Sequence, residues 1–198
     1  MRKVLLLALG AILIAGAAEA RECQVARLEG QTVRVWHEGT WSPLGDRLPA
    51  GAAKIETGRE TRVEIRCDDG VVVTVGIATE VNLEVLTGPQ AGAAEAVLQL
   101  IRGIVGVVAP AVSGFDVRTP LAIASVRSTE WLVEHGADEG SAVFVRAGRV
   151  GVRTPGGRVA LGPGEGITVP PSGEAEPVKV WGAPRIERSG QALGFGWR

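Results

Sequence analysis

Apolar side chains recur at every second position of this chain, in short runs closed by glycine turns. Strands satisfy that pattern and helices do not. Thr32–Trp36 alternates and runs into His37-Glu38-Gly39, a turn. Arg62–Cys67 sets Val63, Ile65 and Cys67 on one face and charges on the other. Asp68-Asp69-Gly70 then closes a hairpin, because Asp-Gly suits the positive φ angles of a tight turn. Val71–Val75 returns as an apolar strand buried on both faces, and Glu80–Val85 alternates with its carboxylates outward.

Residues 87–95 are small and turn-forming, and read as a loop between two lobes of one domain. The grammar then repeats. Val97–Val108 is apolar and interrupted by Gly103 and Gly106, Phe115–Arg118 alternates, and Ala122–Val133 is a long strand region broken near Arg127. After a loop at Gly136–Gly140 come Ala142–Val145, Val150–Arg153, Val159–Leu161 and Ile167–Val169, separated by Pro/Gly turns. A Gly-x-Val-x-Val start recurs at Gly103 and Gly148, with a near-repeat at Gly30. Stacked β-units account for it, and so does the ordinary likeness of turn–strand junctions. With 28 glycines, 11 prolines and 45% hydrophobic residues among 198, the chain has the makings of an all-β core and not of a disordered segment.

The first 20 residues differ. Arg2 and Lys3 precede an apolar run over Val4–Ala18, and Ala18-Glu19-Ala20 supplies a small-x-small cleavage site. A signal-peptide helix over 1–20 is expected, with the mature chain starting at Arg21. An uncleaved anchor is the alternative, although the run is shorter than the roughly 20 apolar residues a span needs. The residues before Cys23 do not form a lipobox, and no later segment reads as a membrane-crossing helix. The expected location is the periplasm or the exterior, with no integral membrane span after signal cleavage.

Two cysteines remain, Cys23 and Cys67. In an oxidising compartment an even pair most simply forms one bridge, the alternative being two buried thiols. Loss of Arg2, Lys3 and Glu19 leaves 19 basic against 21 acidic residues. The arginines are scattered singly along the sequence, so nucleic acid is not an expected partner.

Candidates for chemistry are few. No serine sits in a Gly-x-Ser-x-Gly elbow, and no phosphate-cradling glycine loop joins a strand to a helix. His37 and His135 read as solvated loop residues. Glu130 and Glu134, four apart in a strand, would lie about 13 Å apart, too far for a glycosidase pair. No catalytic, cofactor or metal site is expected, so the chain reads as non-enzymatic. Five tryptophans without a tyrosine are more informative. Trp36 and Trp41 flank a turn and should meet across a hairpin. They form a possible interaction surface, or else cap the open end of the β core. Trp131 reads as core.

The order of these motifs resembles the FecR domain family. Leu28-Glu29-Gly30 through Val35, Trp41-Ser42-Pro43-Leu44, Ile55-Glu56-Thr57-Gly58 and Cys67-Asp68-Asp69-Gly70 resemble its opening. Phe115–Ala122 followed by Val126-Arg127-Ser128-Thr129-Glu130-Trp131 resembles its centre, where the family usually has Arg-Gly-Thr in place of Arg-Ser-Thr. Val143–Val152 and Leu161–Glu165 resemble its closing strands, so the likeness covers roughly residues 25–170. It implies that Arg127, Ser128 and Thr129 form a signature turn of structural character. FecR-type regulators have a cytoplasmic anti-sigma segment, one transmembrane helix and a periplasmic domain that receives a signal. Here the expected signal peptide would stand in place of the first two. The resemblance therefore implies the fold and a binding character, without a transmembrane signalling apparatus.

The expected architecture is a β domain over 21–170. It consists of two packed lobes (about 21–86 and 96–170) of short antiparallel strands, sandwich- or solenoid-like. A loosely packed tail over 171–198 follows, whose last stretch, with Trp181, Phe195 and Trp197, either folds back or stays mobile. The expected function is a non-catalytic periplasmic module that binds an envelope protein or glycan. A self-assembling structural or adhesive envelope protein is the alternative. A small outer-membrane barrel is disfavoured by the lack of tyrosine and the sparse aromatics.

Overall fold

The computed structural model describes residues 21–49, 51–83, 86, 96–110, 114–126 and 129–197. The expected signal peptide, the 87–95 loop and two signature residues, Arg127 and Ser128, lie outside these described residues. Among the described residues no helix is long and apolar enough to cross a membrane.

Among the described residues sixteen strands form one continuous sheet folded into two layers. The first half supplies β1 (Cys23–Glu29), β2 (Val33–His37), β3 (Thr40–Pro43), β4 (Lys54–Thr57), β5 (Arg62–Cys67), β6 (Val72–Val75) and β7 (Glu80–Asn82). A long strand, β8 (Ala96–Ala109), follows. Then come β9 (Phe115–Arg118), β10 (Ile123–Val126), β11 (Thr129–Gly136), β12 (Gly140–Ala147), β13 (Val150–Thr154), β14 (Gly157–Leu161), β15 (Glu165–Val169) and β16 (Lys179–Val180). The front layer runs β1-β5-β6-β8-β11-β12-β15-β16 and the back layer β3-β2-β4-β7-β8-β9-β10-β13-β14. Every pairing is antiparallel except β8 with β9. Each half of the sequence contributes strands to both layers, and β8 belongs to both. Its first half pairs with β7 and β9, its second with β6 and β11.

Alternation explains the interior. Val63, Ile65, Val73 and Val75 face in from the front layer; Val35, Ile55, Val81 and Phe115 face in from the back. All join one cluster with fully buried Trp131. Each such side chain contributes about 2 kcal/mol through removal from water.

β8 changes layer at Gly103, which takes φ +94°. A Cβ there would lie 2.6 Å from the Thr79 Cα, so only glycine fits. Thr79 is fully buried, and its Oγ1 accepts from the Ile104 amide at 2.9 Å; the Thr79 amide in turn donates to Thr57 Oγ1 at 3.0 Å. Two threonines thus satisfy the backbone groups that the crossover takes out of the ladder.

Cys23 lies opposite Cys67 in the β1–β5 register, and the two form a disulfide across 44 positions. Closing that loop in the unfolded chain stabilises the fold by about 4 kcal/mol. Reduction, or the double change Cys23→Ser/Cys67→Ser, should lower the unfolding free energy by that amount in urea titrations. An unmoved midpoint in reductant would show that the bridge adds nothing to the β1–β5 pairing.

The loosely packed tail expected over 171–198 is not what the structure shows. Helix α1 (Ala183–Leu193) lies across the outside of the front layer. Trp181 stacks on Phe144 with ring centroids 4.8 Å apart, and Leu193 is fully buried against Ile104 and Leu132. Room for this segment comes from missing side chains: a Cβ at Gly106 would lie 2.5 Å from the Trp197 ring. The Trp197 indole N–H donates to Thr74 Oγ1 at 3.2 Å. Arg62 donates to the Gln191 and Ala192 carbonyls, satisfying the end of α1 where cations are favoured. Beside it, Arg27 bonds the buried Glu64 carboxylate, which holds its guanidinium above the ordinary arginine range, and stacks over Phe195 at 4.6 Å. An apolar patch on an otherwise solvated sheet face drives the docking.

Candidate functional site

The outer face of the back layer gathers the aromatic residues singled out in the sequence. Val33 and Val35 point inward along β2, so Trp36 points outward, directly opposite Trp41 on β3. The rings meet edge to face, centroids 5.5 Å apart, and both remain half-buried. They therefore stand on the solvent side of the sheet and do not cap the core. Arg34 lies over the Trp41 ring at 4.6 Å and pairs with Glu56 at 2.5 Å. From Glu56 the charges alternate across the sheet, with Arg102 at 2.6 Å, Glu80 3.5 Å from Arg102, and Lys54 4.0 Å from Glu80. Each exposed pair is weak alone, but together they hold Arg34 against the Trp41 face. Next to it opens a cleft of about 540 Å³ lined by Thr32, Arg34, Trp41, Pro43, Glu56 and Gly58. A flat ring, a cation and a carboxylate round a shallow cleft suit stacking and hydrogen bonding.

Residues considered for catalysis are engaged in the fold. His135 is not a solvated loop residue: it sits half-buried in β11, and its Nδ1 lies 2.9 Å from Ser141 Oγ. Serine beside histidine is the geometry of an activated nucleophile. Ser141, however, is 1% exposed, and its oxygen is also 2.7 Å from Thr119 Oγ1. Thr119 accepts in turn from the Leu121 and Ala122 amides. This chain of hydroxyls fastens the β11–β12 hairpin to the turn after β9, with no access for a substrate. His37 likewise ends β2 half-buried. Glu130 bonds Arg146 at 2.7 Å, and Glu134 accepts from Ser189 and faces Arg185. Among the described residues no group of three His, Cys, Asp or Glu side chains is placed to hold a metal. Of the signature residues only Thr129 is described, buried at the start of β11, two positions before Trp131.

The sequence reading missed one arrangement. Register places Arg118, Arg153 and Arg158, scattered in the chain, on one row of the same outer face. Their sequence spacing carries no periodic signal, because strand order alone brings them together.

A two-layered β domain with an aromatic and ionic outer face, the serine beside its half-buried histidine closed off from solvent, has the build of an interaction domain. The chain belongs to the FecR family: the family profile described as FecR protein matches residues 53–151, half of its length. Two crystal structures of a candidate anti-sigma factor from Parabacteroides distasonis ATCC 8503, at 1.65 and 2.50 Å resolution, share the fold. Each aligns with a TM-score of 0.58 and 25% identity, covering 68% of this chain and 62% of theirs. The chain thus spans less than two thirds of that protein. No curated protein matches its sequence.

Proposed function

We propose that this protein is a non-catalytic FecR-family binding module that works in the periplasm or outside the cell, without signalling across a membrane by itself. The observation that carries the reading is the outward Trp36–Trp41 pair with its cleft and ion-pair ladder, built on a family domain that a candidate anti-sigma factor shares. Tryptophans held half-buried on a rigid sheet offer large contact area at little entropic cost. The leader-like first 20 residues and the disulfide support an oxidising compartment.

The test is capture from an envelope extract on the immobilised chain, beside the double variant Trp36→Ala/Trp41→Ala. The parent chain should retain an envelope protein or glycan, and the variant should lose it while keeping the parent's circular dichroism. Equal retention by both would remove the Trp face from the reading, and no retention would remove the reading itself. A self-assembling envelope protein is favoured by one observation, Val180, which stands 77% exposed on edge strand β16. Sedimentation decides that alternative, since a monomer at high concentration excludes it.

A further inference from the structure

The nine strands of the back layer bring one side chain each into a single unbroken row of direct cross-strand neighbours on the outer face. At one end Trp41 stands opposite Trp36, and Trp36 opposite Lys54. Lys54 pairs with Asn82, and Asn82 with Gln99 on β8. Gln99 stands beside Arg118, which faces Ile123; Ile123 faces Arg153, and Arg153 faces Arg158. None of these side chains is buried.

The composition of the row is ordered: an aromatic pair, then a cation and two amides, then three guanidiniums spread over four strands. No carboxylate belongs to it. Its flanks are partly neutralised, because Glu80 reaches Lys54 and Asp116 lies 3.5 Å from Arg118. Arg153 and Arg158 form no ion pair among the described residues, although they stand directly opposite each other. Like charges in that position destabilise a sheet, so the fold carries a cost that a bound anion would remove. Charged residues also guard sheet edges, which would account for Arg158 on edge strand β14. Edge protection does not account for Arg118, on the inner strand β9.

Resting on the binding-module reading, we infer that this row is a binding track for a linear acidic polysaccharide, a sugar chain bearing carboxylates. Each part of the row has a matching part in that ligand. Indole rings stack on the apolar faces of sugars, Asn and Gln amides bond hydroxyls as donor and acceptor, and guanidiniums take carboxylates bidentately. The row is about 40 Å long at the usual strand spacing of about 4.8 Å, and it winds with the sheet's twist, which a flexible glycan follows. Single-stranded nucleic acid fits less well. Its sites interleave stacking aromatics with cations along the whole strand, whereas here the three arginines of the row stand beyond three strands that carry no aromatic ring in it.

The experiment is calorimetric titration of the full exported chain with short and long oligogalacturonates, the matching neutral galactan, and a single-stranded oligonucleotide. Long oligogalacturonate should bind more tightly than short, weaken with salt, and lose about tenfold in affinity in Arg153→Gln/Arg158→Gln. Neutral galactan should bind far more weakly. The double variant removes a repulsion at exposed positions and so should fold; a melting midpoint at or slightly above the parent's confirms that the loss is one of binding. The inference is overturned by absent oligogalacturonate binding, by binding indifferent to the arginine variant, or by tighter binding of the oligonucleotide. If it fails while Trp-dependent capture from envelope extract persists, the binding-module reading stands and only the ligand class falls; if both fail, both fall.

Discussion

Gly103→Val will lower the unfolding free energy by about 4 kcal/mol, from two sources of about 2 kcal/mol each. A valine must adopt the φ of +94° that glycine takes there, and its Cβ must displace the Thr79 backbone, which the Thr57–Thr79 hydrogen bonds hold in place. The loss is a large share of a total that rarely exceeds about 15 kcal/mol. Gly151→Val is the control. Gly151 is exposed on β13, and the nearest atom to its Cβ would be 3.8 Å away, so its urea midpoint should hardly move. Equal midpoints for the two variants would mean that the crossover tolerates a side chain and that β8 is not pinned at one residue.

Truncation after Pro177 will have a second large effect, and of a different kind. It removes Trp181, Ile186, Leu193 and Trp197 from the front layer and bares Ile104, Leu132 and Phe144. At about 2 kcal/mol for each apolar side chain lost, stability should fall by more than about 5 kcal/mol. The uncovered patch should bind a hydrophobic dye and drive self-association. Leu193→Ala, which leaves the rest of α1 in place, should reproduce part of the loss, about 3 kcal/mol, while the chain stays monomeric. A truncated chain that is monomeric and as stable as the parent would show that the segment merely rests on the sheet.

The sequence made the strands legible wherever one face is buried. Val63, Ile65 and Cys67 alternate because the pleat sends successive side chains to opposite faces, and all three are buried. Trp131 was readable as core for the same reason. The α1 helix was readable in part: Pro184 stands in its first turn, Gly194 follows its end, and Ile186 and Leu193 lie seven apart on one face. What hid it was the lack of a partner in sequence. Its apolar stripe is short, and the patch it covers is assembled from β8, β11 and β12, far earlier in the chain. His135 misled for a related reason, since Ser141 reaches it only through the β11–β12 register.

Local chemistry by itself determined that this chain is all-β, that a hairpin turns at Asp69-Gly70, and that Trp36 and Trp41 meet across another. Each follows from side-chain period and turn conformation within a few residues. Only the tertiary structure decided which outward residues become neighbours. Trp41, Gln99 and Arg158 share one row because nine strands pair in a definite order and register, one pairing of them parallel. That order is set by burying the inward faces together, and the energy that selects it comes from valines and leucines that never touch the row.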